Sequence, residues 1–185
     1  DWTPIYALAN DISYMSMILP ANMHGLWKQI ETNMDSYWPY LEGKRPLPAA
    51  LPPLKMTSER LAHLKTAFSG SFPRIDEVWP NLQALFSWRS GISHHQEQKL
   101  RPLLGNVPLV NLPYSATEAF IGVPVDKDGV GSVVHSGVTL TEFIPAHYDG
   151  PSAPILKPWE LSEGKEYEVV ITTSMGLVRY QMKDI

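Results

Sequence analysis

A strand–helix–strand pattern in the middle of the chain constrains the fold more strongly than any other feature of the sequence. Residues 82–88 and 107–112 are short apolar runs that are typical of buried strands. Between them, residues 93–104 have the pattern of a helix that ends at Gly105. This alternation of strand and helix predicts an α/β layer with parallel strands.

Helical periodicity dominates the part of the chain before this layer. Residues 3–43 predict two helices, the first closed by Pro20 and the second running from about residue 22 to residue 37. A proline-rich connector follows. A short helix is then expected to begin near Thr57 or Ser58, because either hydroxyl group can cap it.

Strands without intervening helices dominate the part after residue 119. The strand-like segments there are residues 119–125, 132–135, 138–145, 166–173 and 177–182. Short loops such as Ser136-Gly137 and Met175-Gly176 predict hairpin turns between them. The expected fold class is therefore α/β, with a mixed sheet flanked by helices, parallel at first and then built from antiparallel hairpins.

The composition is that of a globular protein, since 44% of the 185 residues are hydrophobic and 18% are charged. The expected organisation is a mostly helical segment, 1–78, and an α/β half-domain, 79–185, which together form one structural unit. The formal net charge is −4 and no basic patch stands out, so nucleic acid is not an expected partner. No apolar stretch approaches the roughly 20 residues that span a bilayer, so a membrane is not expected either.

The chain contains no cysteine, which excludes a disulfide framework and a thiolate metal site. This composition fits a reducing compartment, and no signal peptide precedes the first helix, so we expect a cytoplasmic location. The chain does not begin with Met and stops directly after a strand-like segment. We therefore expect both ends to lie within a longer protein.

Polar residues follow the second buried strand in the order Tyr114-Ser115-Ala116-Thr117-Glu118. Ligands of open α/β sheets bind at the carboxyl ends of strands, so this is the expected place for a site. The residue types suit a nucleotide: a Tyr ring can stack on a purine, a hydroxyl group can bond phosphate, and a carboxylate can hold magnesium. The alternative interpretation is a polar turn between strands, with Glu118 as a capping residue.

Two further segments could contribute to such a site. In residues 177–184, Asp184 follows a strand and could accept hydrogen bonds from ribose hydroxyl groups, although a solvated edge strand is the alternative. In Trp88-Arg89-Ser90-Gly91, the glycine lets the backbone pass close to a flat ligand, although most such glycines only form a turn.

The order and spacing of these segments resemble the Gretchen Hagen family of acyl acid amido synthetases, a branch of the adenylate-forming superfamily. The family has Tyr-x-Ser/Thr-Ser/Thr-Glu after a strand, which residues 114–118 resemble. Further segments that resemble family motifs are residues 78–82, 141–145, 164–173 and 176–184. The similarity covers most of residues 79–185, and it implies that the chain is an internal fragment of the large N-terminal domain of such an enzyme.

The resemblance also implies roles for individual residues. Tyr114 would flank the adenine, and Thr117 would bond a phosphate. Glu118 would serve the magnesium ion, and Asp184 would hold the ribose. Gly91 would lie in the loop beside the base, and none of these residues is a nucleophile or a general base, so no catalytic residue is assigned.

The implied activity is that of an ATP-dependent ligase. A carboxylic acid attacks the α-phosphate of ATP to give an acyl-adenylate, and the amine of an amino acid then displaces AMP. The implied cofactors are ATP and Mg²⁺, and the implied partners are a small-molecule carboxylic acid and an amino acid. Because the family's Ser/Thr-Gly-rich phosphate loop is not found in residues 1–185, we expect this chain to be inactive alone.

The chain departs from the family at two positions of the closing motif. Gln181 stands where the family has Arg, and Lys183 stands where it has Gly. These changes leave open a catalytically degenerate relative that binds a nucleotide or ligand without turnover. An acyl-coenzyme A ligase is a further alternative. The acid, the amine and the oligomeric state cannot be read from the sequence.

Overall fold

The structure is a computed structural model that describes residues 1–89, 93–126, 131–135, 137–148 and 152–183. The chain divides into two units, residues 1–111 and residues 112–185. Within the described ranges, no helix is both long and apolar enough to cross a membrane.

The first unit contains five helices and three strands in its described part. In chain order they are α1 (Thr3–Ala9), β1 (Tyr14–Ser16), α2 (Pro20–Leu41), α3 (Ser58–Ala67), α4 (Ile75–Val78), β2 (Ala84–Ser87), α5 (Ser93–Leu104) and β3 (Leu109–Asn111). The strands form a parallel sheet in the order β1-β2-β3. The predicted strand–helix–strand layer is therefore confirmed, with α5 over the residues that were predicted for it.

The prediction of one helix up to Pro20 was wrong. The side chain of Asn10 donates a hydrogen bond to the carbonyl oxygen of Tyr6 at 2.7 Å, and the backbone of Asn10 is already extended. The next residues form β1, which pairs with β2. Pro20 begins α2 instead of ending α1, because the missing N–H group of a proline costs nothing in the first helical turn.

The core of the first unit lies between the helices and the parallel sheet. Helix α2 buries the face predicted for it, at Met23, Leu26, Trp27, Ile30 and Met34. Helix α3 begins as predicted, with the hydroxyl oxygen of Thr57 accepting a hydrogen bond from the backbone N–H group of Arg60 at 3.1 Å. The division between the units does not coincide with residue 78, because β1 pairs with β2 and both pack into this same core.

The second unit is built from antiparallel strands. They are β4 (Tyr114–Ser115), β5 (Phe120–Pro124), β6 (Ser132–Val134), β7 (Thr139–Pro145), β8 (Tyr167–Thr173) and β9 (Tyr180–Gln181). Strands β4-β5-β6 form one sheet and strands β7-β8-β9 form another. The change from parallel to antiparallel strands along the chain, predicted from the sequence, is confirmed.

One of the two predicted hairpin turns is wrong. The loop with Met175 and Gly176 does join two paired strands, β8 and β9. Ser136 lies outside the described residues, but the strands on either side of the predicted Ser136-Gly137 turn belong to different sheets, since β6 pairs with β5 and β7 pairs with β8 over seven residue pairs. A short loop between two strands does not fix pairing when a longer ladder is available elsewhere.

Candidate functional site

The polar segment after β3 forms the tip of the hairpin between β4 and β5. The backbone N–H group of Ala116 donates to the carbonyl oxygen of Ala119 at 2.9 Å, so Thr117 and Glu118 lie at the turn. Both side chains are exposed, and 36% of Tyr114 is exposed. The turn therefore presents a phenol ring, a hydroxyl group and a carboxylate to solvent.

A close approach of strands supports this hairpin. Gly122 on β5 pairs with Tyr114 on one side and with Val134 of β6 on the other. A Cβ atom on Gly122 would lie 2.9 Å from the Cβ atom of Ser132, which is closer than carbon atoms pack. Glycine at this position therefore lets β6 pack tightly beside the strand that carries the turn.

The residue after the turn and residues of the closing segment pack on one small core in the second unit. This core consists of Ile121, Phe143, Val169 and Ile171. Ala119, which directly follows Glu118, packs against it. Met182, which precedes Asp184 by two residues, packs against it as well, and its N–H group donates to the carbonyl oxygen of Val169 at 3.0 Å.

Two of the predicted site residues cannot be located. Gly91 and Asp184 lie outside the described residues. The structure therefore describes the nucleotide-binding candidates Tyr114 and Thr117 and the magnesium candidate Glu118. Lys183, which stands next to Asp184, is exposed and has φ = 59°.

A buried carboxylate that sequence reasoning missed lies on β7. Only 2% of Glu142 is exposed, and its two oxygens are held by different cations. Lys157 Nζ lies 2.6 Å from Oε1, and Arg179 Nε lies 3.3 Å from Oε2. The hydrogen bond from Lys157 lowers the pKa of Glu142 below its ordinary value, an effect that burial opposes and the charge of Arg179 reinforces. The signal in the sequence was a charged residue in the middle of the strand-like segment 138–145.

A second buried ionic network lies at the carboxyl ends of β2 and β3 in the first unit. The backbone N–H group of Arg89 donates to Asn111 Oδ1 at 3.1 Å. The guanidinium group of Arg89 makes two bonds of 3.0 Å to the carboxylate of Glu97 on α5. Burial raises the pKa of Glu97, but Arg89 and Arg101 outweigh it, so the pKa lies below its usual range.

Comparisons with known proteins agree on one family. Residues 132–185 match the GH3 family central domain. The chain is 35% identical over 131 residues to an indole-3-acetic acid-amido synthetase of Arabidopsis thaliana, GH3.10, covering 63% of this chain and 22% of that protein. It is 31% identical over 117 residues to a jasmonoyl–L-amino acid synthetase of Nicotiana attenuata, JAR4, covering 60% of this chain and 20% of that protein.

The fold agrees with the sequence comparisons. The structure of a GH3.15 acyl acid amido synthetase superimposes with a TM-score of 0.79 at 17% identity, covering 100% of this chain and 37% of that one. The chain thus spans about a fifth of the length of the two curated relatives. The chain is therefore similar in sequence to GH3 (Gretchen Hagen) amido synthetases and similar in fold to a GH3.15 acyl acid amido synthetase, and its residues 132–185 match the GH3 family central domain.

Proposed function

We propose that the protein containing this chain is an ATP-dependent ligase that joins a carboxylic acid to the amine of an amino acid. The observation that carries the proposal is that Ala119, which follows the turn at residues 114–118, and Met182, which precedes Asp184 by two residues, pack against the same four-residue core. Two segments that pack on one core keep a fixed distance from each other, which suits the binding of a single nucleotide by both. The names of the relatives, an indole-3-acetic acid-amido synthetase and a jasmonoyl–L-amino acid synthetase, support the same class.

The reaction has two steps. A carboxylate oxygen attacks the α-phosphorus of ATP, the bond to the β-phosphate oxygen breaks, and pyrophosphate leaves with the electron pair. The amine of the amino acid then attacks the acyl carbon, AMP leaves, and the amine loses a proton. The task of the protein is positioning and charge stabilisation in both steps, so no protein nucleophile is required.

The residues of the turn have distinct proposed tasks in the first step. Tyr114 would stack on the adenine, and the hydroxyl group of Thr117 would donate to a phosphate oxygen. Asp184 would accept hydrogen bonds from the ribose hydroxyl groups. The role of Gly91, the cytoplasmic location and the expected absence of nucleic-acid and membrane partners stay predictions from the sequence.

The donor set at the turn fits a magnesium ion. Glu118 supplies an exposed carboxylate at the tip, and carboxylate oxygens are the protein ligands that Mg²⁺ prefers. One carboxylate together with substrate phosphates and water is a usual arrangement for this ion. Bound there, the ion would neutralise charge on the phosphates.

An acid-dependent exchange of pyrophosphate into ATP tests the first step without an amine. The intact protein should exchange only when a suitable carboxylic acid is present. Glu118→Gln and Asp184→Asn should each lower the exchange at least about tenfold, since each removes a charged hydrogen-bond or metal partner. The matched control is Glu163→Gln, which removes an exposed carboxylate elsewhere in the second unit. Exchange that is equally fast in all three variants would refute the assignment of the site.

A catalytically degenerate relative is the second candidate. Lys183 adopts the left-handed backbone conformation that glycine adopts without strain, and the family motif has glycine there. A strained backbone next to Asp184 would weaken its grip on the ribose. Binding of AMP by the intact protein together with no acid-dependent exchange for any acid would favour this candidate. An acyl-coenzyme A ligase would instead transfer the acyl group to a thiol when both acceptors are offered.

A further inference from the structure

The carboxylate of Glu142 joins two segments of the second unit that are far apart in sequence. One is the segment with Lys157, and the other is the turn before β9 with Arg179. We infer that Glu142 is a positioning residue for the nucleotide: it holds Arg179, and Arg179 fixes the start of the strand that leads to Asp184. This inference rests on the proposed function, because it concerns the strand that leads to the proposed ribose carboxylate.

The other described attachments of the closing segment are few. Before Arg179, Leu177 packs on the small core and its carbonyl oxygen accepts a hydrogen bond from the N–H group of Thr173 at 2.9 Å. Strand β9 is only two residues long, and both Tyr180 and Gln181 are exposed. The described attachments after β9 are the packing of Met182 on the small core and its hydrogen bond to Val169. A two-residue strand at the edge of a sheet frays readily, so its position depends on what fixes its beginning.

Arg179 fixes that beginning through backbone and side chain together. Its N–H group donates to Thr172 Oγ1 at 2.9 Å, and its Nε donates to Glu142 Oε2 at 3.3 Å. The backbone of Arg179 has φ = 46°, a left-handed conformation that residues other than glycine rarely adopt. Such a conformation persists where the surroundings hold it, and here Glu142 and Thr172 do so.

Glu142 is a rigid point of attachment. It lies in the middle of β7, which pairs with β8 over all seven residues from Thr139 to Pro145. Directly opposite it on β8 is Val170, and the next partner across the sheet is Gln181 of β9. The strand ladder therefore carries the position of Glu142 across to the closing segment.

Lys157 provides an internal control. Its Nζ binds the other oxygen of the same carboxylate at 2.6 Å, but its segment attaches to the opposite edge of β7, through the pairing of Phe143 with Leu156. Removing Lys157 therefore takes one positive charge from Glu142 without touching the link to β9. If the cluster only stabilised the fold, the loss of either cation should change ATP binding by a similar amount. If Glu142 positions the closing segment through Arg179, only the loss of Arg179 should weaken ATP binding.

The test compares Arg179→Met with Lys157→Met in the intact protein, using two readouts. In the exchange assay, Arg179→Met should raise the KM for ATP roughly fivefold, which corresponds to about 1 kcal/mol, and leave the KM for the acid unchanged. Lys157→Met should leave both constants within about twofold, a change of about 0.4 kcal/mol. In hydrogen exchange, the amide of Met182 should lose protection in Arg179→Met and keep it in Lys157→Met. Glu142→Gln should raise the KM for ATP and lower the protection of the Met182 amide, as Arg179→Met does.

The two cation variants distinguish a positioning role of Glu142 from a purely structural one. If the two cation variants change the KM for ATP and the protection of Met182 equally, or if neither variant changes them, the inference is overturned. If the wild-type protein shows no acid-dependent exchange, the proposed function fails, and hydrogen exchange still tests the attachment of β9. The side chain of Arg179 is 61% exposed, so its variant is expected to fold even if Glu142→Gln does not.

Discussion

The buried carboxylate of Glu97 on α5 gives the sharpest prediction for stability. Only 3% of Glu97 and 4% of Arg89 is exposed, and the two side chains share two hydrogen bonds of 3.0 Å. Glu97→Leu removes the carboxylate and leaves the guanidinium group in a poorly hydrated place. Breaking a buried ion pair by removing one partner costs about 3–5 kcal/mol, and we expect a loss of this size in the free energy of unfolding.

The matched control uses the second cation on the same carboxylate. Arg101 Nε also donates to Glu97, at 2.8 Å, but its side chain is 54% exposed. Solvent screens an exposed pair, so Arg101→Ala is expected to cost no more than about 1 kcal/mol. The double variant Arg89→Met with Glu97→Leu should recover most of the loss, because it removes both buried charges of this pair.

Urea unfolding followed by tryptophan fluorescence measures these differences. Trp27 and Trp79 are buried in the core of the first unit, so their emission reports its unfolding. The midpoint of Glu97→Leu should lie well below the midpoints of Arg101→Ala and the double variant. Equal midpoints for Glu97→Leu and Arg101→Ala would refute the reasoning, because burial would then have no bearing on the value of the ion pair.

Three further predictions concern single positions. Gly105→Ala should lower the unfolding free energy by about 1–2 kcal/mol in urea titration, because φ is +66° and an L-residue is strained there, while the carboxyl group of Asp76 must also move away from the added Cβ atom. A loss below about 0.5 kcal/mol, within the usual range for a neutral change, would contradict this. Lys183→Gly should be more stable than Lys183→Ala by about 1 kcal/mol, because Lys183 has φ = 59°, and equal melting temperatures would contradict this. The folded-state pKa of Glu142 is lowered from 4.5, so its stabilising contribution is present above about pH 4.5 and is lost as the pH falls through the folded value. In unfolding titrations at several acid pH values, the unfolding free energy of Glu142→Gln should therefore fall less steeply with falling pH than that of the wild type. Identical slopes of unfolding free energy against pH would exclude the ion pairs of Glu142 as a cause of the acid sensitivity.

Local patterns predicted α2 and α5 but not the pairing of distant strands. The apolar face of α2 and the span of α5 follow from helical periodicity and from a glycine at the helix end. Strand β1 was missed because it has three residues and exists through pairing with β2, about 70 residues further along the chain. The wrong hairpin at Ser136-Gly137 has the same cause, since the partner of a strand depends on distant segments.

The residue types of the proposed site could be predicted from the sequence, but the ion pairs of Glu142 with Lys157 and Arg179 could not. Tyr114, Thr117 and Glu118 follow one another in a short motif whose chemistry is local. The partners of Glu142 lie 15 and 37 residues away, at Lys157 and Arg179. Only the register of β7 against its neighbours brings these charges together.

A crystal structure of the intact protein with AMP tests the central claim most directly. The account predicts that the ring of Tyr114 packs against the adenine and that both oxygens of Asp184 lie within about 3 Å of the ribose hydroxyl groups. Both contacts should come from one AMP molecule, bound beside the core of Ile121, Phe143, Val169 and Ile171. An AMP molecule that contacts only one of these two residues, or that binds elsewhere, would contradict the account.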